Sequence, residues 1–295
     1  MSSPECWAFA AGRLRVKQSL GTPQDALSPG RSMSTPMPET TGPGRAVYRA
    51  PFEHLREAGD SRLILVCDHA SNAVPAAYGS LGLPESSFTR HIASDLGALA
   101  LVHLLSERLN APAVLAGFSR LLIDPNRGED DPTLVMRLSD GEIIPGNAKA
   151  DAAEIEKRIE SFHRPYHAAV DRAINHSLGA GTPPMLVSLH SFTPAWRGRA
   201  RPWHCGILWW GDKPSADLCL AYLRGIKDLV VGDNQPYSGE LEGDSMDRHG
   251  TKRGIAHVLI EIRQDLLASQ TGCNEWVQRL TPLLSELAAG TKRNT

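Results

Sequence analysis

Three apolar runs in this chain stop abruptly at side chains able to do chemistry. Leu63-Ile64-Leu65-Val66-Cys67 ends at Asp68-His69, Met185-Leu186-Val187-Ser188-Leu189 ends at His190-Ser191, and His257-Val258-Leu259-Ile260 ends at Glu261-Ile262-Arg263. An unbroken apolar run of this length reads as a strand buried on both faces, as in a parallel sheet. The C-terminal ends of such strands share one rim of an open α/β sheet, where ligands bind. Two imidazoles and a carboxylate brought to that rim make a metal site with an adjacent base. A zinc ion held by two His and one carboxylate keeps an open position and lowers the pKa of water towards about 7. Glu261 is then placed to take a proton from water and pass it to a leaving group.

Stepping outward, strands and helices alternate. A long amphipathic helix is expected from Ser86 or Ser87 to Leu109, with Ile92, Leu96, Leu99, Val102 and Leu105 on its apolar face and His91 and Asp95 four apart near its start. Ala113–Ala116 reads as a second strand and Leu121–Ile123 as a third, ending in the polar cluster Asp124-Pro125-Asn126-Arg127. Residues 128–147 are acidic and turn-rich, a surface excursion. Residues 150–178 have helical periodicity interrupted by Pro165, which predicts a kink or break near Arg164. His163 and His167 lie four apart on that helix, with no strand end facing them. A strand is expected from Cys205 to Trp210, a helix from Ala216 to Lys227, and a C-terminal helix from Asn274 to Ala289. Between Val230 and Lys252 a long polar loop holds Tyr237, Asp247 and His249. The alternation predicts an α/β fold: a three-layer αβα sandwich with a mixed, mostly parallel sheet.

Composition narrows the function classes. A chain of 295 residues has the length to bury a large core. A formal charge of -2 and a pI near 6.6 carry no basic footprint for nucleic acid and no polybasic membrane signal. No apolar run is long enough to span a membrane. The five cysteines are scattered, odd in number and never paired as CxxC, which points to a reducing, cytoplasmic setting, with Cys67 as an apolar filler. Residues 1–47, rich in Ser, Pro, Gly, Thr and Met, read as a disordered or extraneous N-terminal extension, leaving residues 48–290 as a single catalytic domain. Oligomeric state is left open, because no apolar surface stripe stands out.

Several segments taken together, VCDHASNAVP, HIASDLGA, FSRLLIDPNR, RPYH, SLHSF, NQPYSG and RHGTKRGIAHVLIEIRQDL, resemble the N-formylglutamate amidohydrolase family in its less characterised branch. The resemblance covers roughly residues 48–290 and implies a fold related to the zinc carboxypeptidases. It implies one Zn2+ ion, with His69 and His190 as ligands and Glu261 as the catalytic carboxylate. The Asp-x-Asn-Arg segment matches Asp124 to Arg127, so Asn126 and Arg127 are implied to hold a substrate carboxylate. One departure stands out: Asn72 occupies the position of the carboxypeptidase Glu ligand. The third ligand is then Asp95, with His91 and Asn72 as alternatives.

An N-acyl amino acid needs a cationic fork for its carboxylate, because Arg pairs with carboxylate bidentately. Arg127 with Asn126 is the first choice, Arg120 and Arg253 are reserves, and Tyr237 is expected to close over the substrate. The expected activity is metal-dependent hydrolysis of a small N-acyl amino acid, with N-formyl-L-glutamate the substrate the resemblance implies. A zinc carboxypeptidase or peptidoglycan amidase is the first alternative. A non-catalytic ligand-binding protein on the same fold is the second.

Overall fold

The computed structural model describes residues 44–290. The expected N-terminal extension therefore lies almost wholly outside the described residues. Residues 44 and 46 are held to the domain by the Asn72 side chain, which donates to the Gly44 and Phe88 carbonyls and accepts from the Ala46 amide.

Eleven strands occur among the described residues: β1 (Phe52–Leu55), β2 (Leu63–Cys67), β3 (Ala113–Ala116), β4 (Leu138–Ser139), β5 (Glu142–Ile143), β6 (Met185–Phe192), β7 (Ala195–Trp196), β8 (Arg199–Ala200), β9 (Cys205–Leu208), β10 (Val231–Asp233) and β11 (His257–Arg263). The α-helices are α1 (Ala98–Leu109), α2 (Pro145–Ala148), α3 (Ala152–Arg158), α4 (Arg164–Gly179), α5 (Lys213–Arg224), α6 (Ser245–His249) and α7 (Gln270–Gly290). Seven strands form one sheet in the order β1-β3-β2-β6-β11-β9-β10, and the β4-β5 and β7-β8 pairs are small separate ribbons. Pairing is parallel through β3-β2-β6-β11 and antiparallel at β1-β3 and β11-β9, so the sheet is mixed and mostly parallel as expected.

Alternation along the strands feeds two cores. In β2, Leu63, Leu65 and Cys67 face α1, α5 and α7, packing with Leu101, Leu220 and Trp276. Ile64 and Val66 face the opposite layer, with Tyr166, Val170 and Ile174 of α4. A fully buried side chain of this kind contributes roughly 1.5–3 kcal/mol. Both layers are needed because a central parallel strand is apolar on both faces.

Three local expectations are corrected and a fourth, the break near Arg164, is met. The helix before Asn110 begins at Ala98, because Gly97 adopts a φ of 83° and its missing Cβ leaves room for Leu267; His91 and Asp95 therefore lie on the irregular segment ahead of α1. Leu121–Ile123 is a buried turn, not a strand: Arg158 and Asn147 donate to the Leu122 and Leu121 carbonyls, replacing a sheet partner. The break at Pro165 is a single π turn, Ile159–His163, after which Pro165 sits in the first turn of α4, where its missing N–H costs least. The long polar loop contains β10 and α6, the latter capped by Asp244 accepting from the Asp247 amide.

Candidate metal centre and cavity

The strand ends converge as their order requires. β2, β6 and β11 are consecutive in the sheet, and His190 is the direct register partner of Glu261. Side chains two apart share a face, so Ser188 and His190 project beside Glu261. His69 follows β2, and its ring lies 4.9 Å from that of His190, edge to face.

Asp95 reaches the same point from a loop pinned at several atoms. Its amide donates to the His69 carbonyl at 2.9 Å, and its Oδ2 accepts from the Ser191 amide at 3.2 Å. Ser191 Oγ donates to the Leu96 carbonyl, and Arg120 pairs with Asp95 Oδ1. That leaves Asp95 Oδ2 2.9 Å from His190 Nδ1 and 3.5 Å from His69 Nδ1. Ligand atoms of His69, Asp95 and His190 all fall within 4.8 Å of one another, and all three residues are buried.

The other nitrogen of each ring is fixed from behind. His69 Nε2 donates to Asp124 Oδ1 at 2.8 Å, and His190 Nε2 donates to Asp68 Oδ2 at 3.0 Å. Asp68 is itself held by the hydroxyls of Tyr166, Ser188 and Ser245. Burial alone would raise both carboxyls, but the imidazoles they face hold them well below the usual range. With both Nε2 atoms donating, the Nδ1 atoms turn their lone pairs towards the Asp95 carboxylate.

Such a set needs a positive charge at its centre. A proton on His190 Nδ1 would serve the His190–Asp95 contact, and the His190 imidazole is in fact raised, Asp68 outweighing the effect of burial. It would not serve His69 Nδ1, which is buried without a hydrogen-bond partner. Burial and the Arg120 charge push that ring down to about 4, so it is neutral and ligand-ready at pH 7. A cation serves all three atoms at once, and the residues present fit one.

The cluster opens into a cavity of about 670 Å³ that also takes in His91, Glu261, Arg120, Asn126, Arg127 and Tyr237. Glu261 is raised by burial, and its Oε2 has no partner; Arg120 Nε is also buried without one. Asn126 Oδ1 accepts from the Ser245 amide, and Arg127 donates to the Asn126 carbonyl and to Thr133. Tyr237 Oη accepts from Arg201, a buried guanidinium lying 4.9 Å over the Tyr237 ring.

Two of the expected positions are elsewhere. Arg253 does not line the cavity: its guanidinium donates to Asp171 and Asn175 across α4. Asn72 spends its amide on residues 44–46 and Phe88, which accounts for the departure from the carboxypeptidase pattern. His91 remains beside Asp95, its Nδ1 3.6 Å from Asp95 Oδ1, on the side already paired with Arg120. Sequence reasoning missed Asp68, Asp124, Arg201 and Asp244. Asp68 had a signal in the acid next to a strand-end His and Asp124 in the polar cluster after an apolar run; Arg201 and Asp244 had none, because their partners are distant in sequence. Asp244, buried at the cavity wall, is raised to about 7, mainly by burial.

A family model described as N-formylglutamate amidohydrolase matches residues 61–268. The chain belongs to that family. It is similar to the gene product Atu2144 from Agrobacterium tumefaciens, with 35% identity and a TM-score of 0.79 over 83% of this chain and 98% of that one. It also shares the fold of the N-formylglutamate amidohydrolase from Ralstonia eutropha JMP134, with 24% identity and a TM-score of 0.67 over 84% of this chain and 100% of the other. No curated protein matches it. The family makes the chain an amidohydrolase acting on a small molecule. Among the described residues no helix is long and apolar enough to cross a membrane.

Proposed function

We propose that this amidohydrolase hydrolyses N-formyl-L-glutamate to formate and L-glutamate, and that it does so with one zinc ion. The observation that carries the reading is the buried His69–Asp95–His190 cluster with Glu261 in register beside it. Family membership supports N-formyl-L-glutamate as the substrate, and the name of the Ralstonia relative agrees with it.

His69 Nδ1, His190 Nδ1 and Asp95 Oδ2 would hold the metal. When bound, zinc supplies Lewis acidity that sharpens water as a nucleophile and polarises the amide carbonyl. Glu261 would take the proton of the attacking water on its unpartnered Oε2 and return it to the leaving amine, the base and acid role that a carboxylate raised by burial suits. Arg120 faces the charge that develops on the carbonyl oxygen, and its unpaired Nε is the available donor. Asn126 and Arg127 bind the substrate carboxylate, and Arg201 holds the Tyr237 hydroxyl at the wall. A cavity of about 670 Å³ suits a small ligand.

The test is formate release from N-formyl-L-glutamate by purified protein, before and after chelation and zinc restoration, with Glu261→Gln as control. Loss and recovery are expected. Full activity in demonstrably metal-free protein would refute the metal role, and a preference for peptides would move the reading to a carboxypeptidase.

A further inference from the structure

Three histidines outside the cavity are fully buried and unused by the reaction above: His163, His167 and His249. They form one chain. His249 Nδ1 lies 3.1 Å from Asp171 Oδ1, and His249 Nε2 lies 2.8 Å from His167 Nδ1. His167 Nε2 lies 3.0 Å from the Pro125 carbonyl oxygen and 3.2 Å from His163 Nε2, which is 2.9 Å from the Arg127 carbonyl oxygen. Those two carbonyls bracket Asn126, so the chain runs from a half-exposed carboxylate to the loop that lines the cavity.

Counting protons shows what this chain requires. A neutral imidazole offers one donor and one acceptor. The Asp171 carboxylate and the Pro125 and Arg127 carbonyls can only accept, so each needs an N–H from the ring nitrogen facing it. A further proton must lie between His249 and His167. Three rings then carry four protons, one more than when all are neutral, and the 3.2 Å contact between His167 Nε2 and His163 Nε2 becomes one between two donors, each aimed at its own carbonyl. With only three, His167 donates from Nδ1 to His249, its Nε2 accepts from His163, and the Pro125 oxygen faces a lone pair. The tautomer of His167 therefore follows the proton count.

We propose that His249, His167 and His163 are positioning residues, a buried chain whose fourth proton, lying between His249 and His167 and balanced by the Asp171 charge, holds His167 as the Nε2–H tautomer and so clamps the loop presenting Asn126 and Arg127. The functional half of this rests on the reading of those two residues as the carboxylate site. The fourth proton belongs at the Asp171 end of the chain, because the carboxylate lies 3.1 Å from His249 Nδ1 while burial keeps His163 and His167 low. The surrounding charges are Arg253, bonded to Asp171 at 2.7 Å, Arg248 on α6, Glu129 at 3.8 Å from His163 Nδ1, Arg164 paired with Glu129, and Asp68 and Asp124 on the sheet side.

Long-range proton–nitrogen correlation spectra of zinc-loaded, nitrogen-15 histidine-labelled protein read each ring's protonation directly, without turnover. The wild type is expected to show His249 doubly protonated and His167 as Nε2–H near neutral pH. Asp171→Asn, which keeps an acceptor but removes the charge, is expected to drop the chain to three protons and switch His167 to Nδ1–H. KM for N-formyl-L-glutamate should then rise about tenfold with kcat retained, the scale of one lost hydrogen bond, and Asp171→Glu should restore both. Three protons in the wild type, the same His167 tautomer in both proteins, or a switched tautomer with KM unmoved would overturn the proposal. An enzyme inactive in every form counts against the proposed function instead, and the spectra still decide the chain.

Discussion

Asp124→Asn isolates what the carboxylate behind His69 contributes. Asp124 Oδ1 accepts from His69 Nε2 at 2.8 Å and from the Asn126 amide at 2.9 Å. Asparagine can keep its oxygen at that position, so both hydrogen bonds survive and the negative charge is what goes. That charge makes Nδ1, on the far side of the ring, a better electron-pair donor to a cation. Losing an outer partner of this type typically weakens metal binding about 10–100-fold, or about 1.4–2.7 kcal/mol. Competition for zinc against a chromophoric chelator measures it, with His69→Ala marking complete loss of the ligand. An affinity within about twofold of wild type would refute the reasoning, because His69 would then not bind the metal through the nitrogen that Asp124 leaves exposed.

Glu261→Gln should lower kcat about 10²–10⁴-fold while leaving zinc affinity nearly unchanged, which separates proton transfer from ligation in steady-state and chelator assays. Saturating zinc at about 100 times its Kd should stabilise the native state by about 2.7 kcal/mol, read as a Tm increase that Asp95→Ala abolishes. Gly206→Ala, on β9 directly opposite Glu261, would drive a Cβ into the Gln235 carbonyl oxygen at 1.8 Å; denaturant unfolding should show a loss on the order of 3 kcal/mol. Burial lowers His54, His163 and His167 in the folded state. The unfolded chain therefore binds more protons below its ordinary His pKa of about 6.5, so stability is fully present above that value and falls with decreasing pH. The contribution of these histidines to Tm should decline as pH falls below about 6.5, with the raised His190 and Asp244 acting in the opposite sense; a net Tm that rises on acidification through that range would contradict the buried, neutral assignment.

The groups that the sequence places together at one sheet rim sit at the ends of apolar runs. Leu63–Cys67, Met185–Leu189 and His257–Ile260 can bury both faces in one way, and the polar residues in the first two positions after each run must emerge at the sheet rim. His69, His190 and Glu261 follow from that periodicity. Asp95 was legible as a residue but not as a geometry. The apolar spacing around Ile92 and Leu96 suggested a helix, whereas Gly97 and the backbone bond to His69 make that segment a loop aimed at the His69–His190 pair. Leu121–Ile123 misled for a related reason: a short apolar run shows that a segment is buried, not how its carbonyls are satisfied. Here side chains of α2 and α3, Asn147 and Arg158, supply the donors.

Residue type and period thus determined the layers, the sheet rim and three of the groups on it, because both are local consequences of backbone repeat and apolar burial. Which carboxylate stands behind each imidazole, what the Asn72 amide bonds, where Arg253 goes and how His163, His167 and His249 join were decided by tertiary structure. Those pairings bring together atoms separated by tens to more than a hundred positions, such as Asp68 with Ser245, and no local pattern encodes a contact whose partner lies on another element.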